Sequence, residues 1–211
     1  GMIRSATLVA FITGATLVAA AIPRLIAEAQ VAPIDRQVAR LSTGEPVTRA
    51  QLMAAVAAHG AALSAVKNGR LRTRYGRLLC AAATANPDRR LRAALQERCI
   101  AALQRGLSRS PAQPYAAFAL ASSGVARGLP APTLDRALRL SIASGPALDS
   151  LVGARLALGL RLWPSLSVAG RGALAGQIAW AAENRPATLR RVASTPLRRA
   201  LVERYAPDFG P

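Results

Sequence analysis

Between residues 48 and 205, the chain alternates segments of helical spacing with proline or glycine breakers. Thr48 is placed to cap a helix whose apolar face recurs at intervals of four and three residues: Leu52, Val56, His59, Leu63 and Val66. Similar segments predict further helices at 70–85, 88–106, 114–127, 132–144, 147–162, 167–183 and 186–205. No window alternates β-branched and polar residues as a strand would. The sequence therefore predicts an all-α fold.

The prolines between these helices also indicate how the helices are arranged. Helix pairs of this length, joined at prolines, are typical of helical-hairpin arrays, although no repeat of fixed period is present. We therefore predict an antiparallel helical-hairpin bundle or short solenoid, of a degenerate tetratricopeptide-like kind, over residues 48–211. Such arrays leave a concave face that binds a protein or a polymer.

An uncharged run of eighteen residues lies near the N-terminus, at 5–22. As a helix it reaches about 27 Å, which is close to the thickness of a membrane's hydrocarbon core. This predicts a single transmembrane anchor or signal segment at 1–24, followed by a connector at 25–47. Small residues at 19–21 and 27–29 also fit a cleaved signal peptide, and a buried core helix is the third alternative. A retained anchor is favoured.

The charge is strongly basic, with 28 Lys and Arg against 10 Asp and Glu, and Lys67 is the only lysine. A surface with this balance attracts polyanions such as nucleic acid, anionic lipid or acidic polysaccharide. Nucleic acid is disfavoured because the arginines are not interleaved with aromatic residues and no helix-turn-helix is recognisable. Arginines just after the uncharged run favour a cytoplasmic domain when counted alone.

Residues that carry chemistry are few. The single histidine, two cysteines and ten acids do not cluster with the spacing of metal ligands or of a nucleophile and its base. His59 lies on an apolar face, where a core histidine is favoured over a general base. Gly170, Gly172 and Gly176 lack the strand and lysine of a phosphate loop, and close helix contact explains them better. No enzyme activity and no cofactor are predicted.

Cys80 and Cys99 are the only cysteines. They either form one disulfide in an oxidising compartment or remain two separate thiols. Cys99 falls on the apolar stripe of its predicted helix, whereas Cys80 lies opposite the stripe of its own helix. Separate thiols are therefore favoured.

Several side chains are candidate contacts for a ligand or partner: Tyr115, Arg155, Trp163, Gln177, Trp180, Arg70, Arg74 and Arg77. Arg155 projects from the apolar side of the helix at 147–162, where a guanidinium must be paired or must face a ligand. A buried pair, with a carboxylate or with helix C-terminal carbonyls, is the favoured interpretation. The tryptophans are sugar-stacking candidates, with core packing favoured. The arginines at 70, 74 and 77 form either a solvated face or a polyanion site.

Three segments carry a resemblance to a known family: SRSPAQPYAAFALA (108–121), ALRLSIASGPALDSLVGARLALGLRLWPSL (137–166) and GQIAWAAENRPATLRRVA (176–193). They resemble the membrane-anchored accessory proteins encoded with bacterial exopolysaccharide genes, the VpsP-like polysaccharide-biosynthesis proteins. The matching positions are Pro114, Tyr115, Ser141, Gly145, Pro146, Arg155, Leu162, Trp163, Gln177 and Trp180. Phe118 departs from the pattern, which has tryptophan there.

The resemblance implies a role without an assigned reaction in assembling or exporting polysaccharide, on the periplasmic side of the bacterial inner membrane. Its implied partners are proteins of that machinery, or the acidic polymer itself. This placement is preferred over the one favoured by the arginine count. The alternative hypothesis is a membrane-tethered basic domain that binds nucleic acid or anionic lipid on the cytoplasmic side.

Overall fold

The computed structural model describes residues 47–66 and 68–207, together with Ala29, Ala32 and Ala39. In this part of the chain all regular elements are helical: α1 (Arg49–Ala65), α2 (Gly69–Thr84), α3 (Arg89–Leu107), α4 (Pro114–Ala126), α5 (Ala131–Ala143), α6 (Asp149–Leu162), a 3-10 turn (Trp163–Ser165), α7 (Val168–Asn184), α8 (Pro186–Val192) and α9 (Pro196–Tyr205). The all-α prediction is confirmed.

None of these described helices is both long and apolar enough to cross a membrane. The anchor or signal segment predicted at 1–24 lies outside the described residues, as does all of the connector at 25–47 except Ala29, Ala32, Ala39 and Val47.

Polar side chains fix where the helices begin. Thr48 caps α1 as predicted: its hydroxyl accepts from the Gln51 amide at 3.2 Å, and the Gln51 side chain accepts from the Thr48 amide at 2.9 Å. Asp88 caps α3 by accepting from the Arg90 and Leu91 amides. Each cap satisfies N–H groups that have no partner within the helix. The local sequence therefore sets these boundaries.

The predicted last helix, 186–205, is two helices in the structure. α8 ends at Val192 and α9 starts at Pro196, with Thr195 capping α9 through the Arg198 amide. Proline has no N–H and fits the first turn of a helix rather than its interior. The single helix was therefore a wrong prediction, and the Thr195-Pro196 breaker takes precedence over the continuous spacing.

α2 and α3 form an antiparallel hairpin with very close contact between the helices. Gly76 faces Leu103 and Gly106 faces Thr73, so neither glycine has room for a side chain. Farther along the same interface, Cys80 and Cys99 form a disulfide, with their Cα atoms 5.3 Å apart. The preference for separate thiols was wrong, because the close approach of the helices brings the side of α2 that carries Cys80 against α3.

The helices share one main apolar core that extends from Leu52 in α1 to Val202 in α9 and is built mostly from leucine and alanine. A smaller cluster joins Ala62, Val66 and Leu71 where α1 meets α2. In the second half of the chain, α4 packs on α5, α5 and α9 pack on α7, and α8 packs on α6 and α7. This packing brings the start of α4, the end of α5 and the middle of α6 and α7 together around one polar centre.

Candidate functional site

Arg155 is completely buried near the middle of α6. Its Nε donates to the Ser141 hydroxyl at 2.9 Å, and its terminal nitrogens donate to the Gly145 carbonyl at 2.7 Å and the Ser141 carbonyl at 2.5 Å. These carbonyls lie in the last turn of α5 and just beyond it, where carbonyl groups lack partners within the helix. The interpretation of Arg155 as a buried side chain bonded to helix C-terminal carbonyls is confirmed.

Neighbouring helices are tied into the same network. The Ser141 hydroxyl donates to the Pro114 carbonyl, at the first residue of α4, over 2.7 Å. From α7, the Gln177 amide nitrogen donates to the Pro146 carbonyl over 3.0 Å. We call these six residues the Arg155 centre: Pro114, Ser141, Gly145, Pro146, Arg155 and Gln177. It joins four helices that follow one another along the chain, α4 to α7.

One buried polar atom of the Arg155 centre, on Gln177, lacks a hydrogen-bond partner among the described residues. Gln177 is 2% exposed, and its side-chain oxygen has no hydrogen-bond partner among the described residues. A buried, unsatisfied acceptor costs about 1–3 kcal/mol of stability. Each nitrogen of the Arg155 guanidinium therefore has a hydrogen-bond partner, whereas Gln177 is bonded only through its side-chain nitrogen.

Burial also affects the charge of Arg155. Loss of solvation lowers the pKa of the guanidinium to about 10, and the nearby Tyr115 acts in the opposite direction. Arg155 stays protonated at neutral pH and keeps all its donors. Because each of its three nitrogens already bonds a protein oxygen, its chemical role is to hold α5 and α6 together.

Tyr115 lies beside the Arg155 centre and is only partly buried. Its hydroxyl is 2.6 Å from that of Ser150, and the guanidinium carbon of Arg77 is 4.9 Å from the centre of its ring. Burial lowers the pKa of Arg77; Tyr115 raises it and Arg74 lowers it further. The structure thus brings together two candidate contacts, Tyr115 and Arg77, that are separate in sequence.

The three arginines predicted on one side of α2 differ in their surroundings. Arg70 is exposed, whereas Arg74 and Arg77 are half-buried. Arg77 is directed at Tyr115, so this face of α2 is not uniformly solvated. Whether the three bind a polyanion stays a prediction.

The tryptophans occupy two different places. Trp163 meets Tyr205, with ring centres 5.5 Å apart, and Arg171 lies near the Trp163 ring. Trp180 is on α7, one turn beyond Gln177. Both tryptophans are partly buried and pack against the main core, as the packing interpretation predicts.

A buried carboxylate was missed in the sequence analysis. Asp135 of α5 is 4% exposed; it accepts from the Ser167 amide and hydroxyl, and from Arg139 Nε at 3.0 Å. Ser167 caps α7, so Asp135 ties α5 to the start of that helix. The sequence contains a signal for this site, because Asp135 shares the helical face of Leu134 and Leu138. An acid buried on an apolar face is very costly unless it is paired, so this position predicts a buried, bonded carboxylate.

The three glycines of α7 have different environments. A side chain at Gly170 would collide with Asp135, so close contact explains this glycine, as predicted. At Gly172 and Gly176 an added methyl group would point into open space, with no atom of another helix within 4 Å. Close packing was therefore the wrong explanation for these two.

The described residues contain no group of three or more His, Cys, Asp or Glu side chains placed to hold a metal ion. His59 is fully buried, with Nδ1 3.0 Å from the Ala55 carbonyl oxygen, as expected of a core histidine. In comparisons with known proteins, no family model, curated protein or solved structure matches the chain.

Proposed function

We propose that this protein is a non-enzymatic accessory protein of bacterial surface-polysaccharide assembly or export. In this proposal it is an inner-membrane, single-pass protein whose helical domain faces the periplasm. The domain is a degenerate tetratricopeptide-like array of antiparallel hairpins that holds partner proteins or the acidic polymer.

The observation that carries the proposal is the composition of the Arg155 centre. All six of its residues lie in the three segments that resemble the exopolysaccharide accessory proteins, and they meet through the hydrogen bonds of Ser141, Arg155 and Gln177. Residues that match a family pattern and meet in space are those expected to maintain a shared scaffold. Their meeting in space supports the resemblance, because it gives the matching residues a common structural role.

Two further observations support the compartment and the ligand class. The Cys80–Cys99 disulfide fits an oxidising compartment such as the periplasm. The net charge of +18 fits an acidic polymer or an acidic partner surface.

The test is deletion of the gene in the source bacterium, with surface and cell-retained polysaccharide measured separately. We expect surface polysaccharide to fall and the full chain to restore it. A deletion strain with unchanged polysaccharide would contradict the proposal.

A topology experiment separates this proposal from its alternative. Alkaline phosphatase fused after Pro211 is expected to be active, because that enzyme folds only in an oxidising compartment. Fluorescence of a cytoplasmic reporter at the same position would instead favour the tethered nucleic-acid or lipid binder.

A further inference from the structure

An open groove of about 820 Å³ lies between α3, α4 and α5, away from the contacts of the Arg155 centre. Leu107 of α3, Leu120 of α4 and Leu140 of α5 contribute to its apolar lining. A volume in the range of about 300–1,000 Å³ is typical of concave ligand sites. It accommodates a few side chains rather than a folded domain.

The charges in this groove have one sign. Arg136 and Arg139, one turn apart on α5, are its only ionisable lining residues. Arg139 donates a hydrogen bond through Nε to the Asp135 carboxylate. Arg136 is exposed, and no hydrogen bond or ion pair joins it to another described residue. The groove thus presents an available guanidinium beside an apolar lining.

The lining also indicates which kind of anion fits. No aromatic residue lines the groove, so a sugar ring has no stacking surface there. Leucine and alanine side chains are complementary to aliphatic side chains, and arginine pairs with a carboxylate through two parallel hydrogen bonds. A peptide segment with aliphatic anchors and an acidic residue satisfies both requirements.

We propose that the α3–α4–α5 groove is a docking site for a short acidic segment of a partner protein. Aliphatic side chains of the segment occupy the apolar lining, and an Asp or Glu pairs with Arg136. This inference rests on the proposed role as an interaction protein, and it specifies the partner's chemistry.

The test is selection of random short peptides displayed on phage against the purified full chain, followed by affinity measurements on the enriched peptides. We expect them to combine aliphatic residues with Asp or Glu. Arg136→Glu is expected to weaken their binding by about tenfold or more, as for loss of a charge pair in an interface. Ala143→Trp, at an exposed position in the lining, is expected to block binding without changing charge.

Matched controls are Arg199→Glu on α9 and Ala179→Trp on α7, both exposed and outside the groove lining. They are expected to bind the peptides as the unchanged protein does. The proposal is overturned if no enriched peptide responds to the groove variants, or if polygalacturonate fragments rather than peptides bind in an Arg136-dependent way. Peptide binding is measured on the purified protein, whereas the proposed function is tested by polysaccharide levels in cells. Failure of the groove proposal is therefore distinguishable from failure of the proposed function.

Discussion

The α2–α3 hairpin and the α4–α7 region are held together by different chemistry. In the hairpin, glycines at 76 and 106 allow close apolar contact, and the disulfide adds a covalent link. In α4–α7, buried polar side chains, Arg155 and Asp135 above all, bond the ends of neighbouring helices. The hairpin joins two helices that are neighbours in sequence, and Arg155 likewise joins α5 to its neighbour α6, whereas Asp135 reaches from α5 to the start of α7. Hydrogen bonds with fixed geometry thus supply the specificity that leucine and alanine packing lacks.

The largest expected loss of stability is in the α4–α7 region, at Arg155. Arg155→Met removes three donors and leaves the Ser141 and Gly145 carbonyls without their partner, so we expect a loss of about 4 kcal/mol in the free energy of unfolding. Urea unfolding followed by circular dichroism measures it. Arg161→Met, at an exposed position on the same helix, is the control and is expected to change stability by less than about 0.5 kcal/mol. Equal effects of the two variants would contradict the assigned role of Arg155.

Removal of the disulfide tests the hairpin. The two cysteines are 19 residues apart, and for a loop of this size the chain-entropy model predicts a loss of about 3 kcal/mol in the double variant Cys80→Ala, Cys99→Ala. Unfolding in urea with and without dithiothreitol measures it. We expect dithiothreitol to lower the free energy of unfolding of the unchanged protein. It is expected to leave that of the double variant as it is. A protein that is equally stable in both conditions has no structural disulfide.

Gly106→Ala tests the close contact of the hairpin. The added methyl group would meet the Thr73 side chain and, at 2.9 Å, the Thr73 amide nitrogen, so α2 must shift. We expect a loss of about 2 kcal/mol despite alanine's higher helix propensity. Gly172→Ala is the matched control, because the space around Gly172 is open, and it is expected to stabilise the protein by up to about 1 kcal/mol. A gain at both positions would contradict the close approach.

The smallest effect is expected at Gln177. Gln177→Leu loses the bond to the Pro146 carbonyl but also removes the unsatisfied side-chain oxygen, so the two changes oppose each other. Thermal unfolding is expected to show a change within about 1 kcal/mol. A loss above about 2 kcal/mol would mean that the oxygen has a partner, such as an ordered water.

Much of the local structure follows from the sequence. The spacing of Leu52 and Val56, the Thr48 cap and the prolines at the junctions predicted helices close to the observed ones, because these signals act within a few residues. The break at Thr195-Pro196 also has a local signal, because proline is not accommodated in the interior of a helix. The Arg155 pairing was also predictable in kind, since a buried guanidinium requires acceptors.

Which acceptors Arg155 bonds, that Cys80 meets Cys99, and that Arg136 borders a groove were decided by the tertiary structure. The sequence by itself determined the all-α class, most of the helix ends and the strong positive charge, through local hydrogen bonding and composition. Contacts between helices depend on their relative rotation and approach, and many rotations satisfy an alanine-rich apolar stripe equally well. Only the assembled core, with its glycine contacts and buried polar bonds, selects one of them.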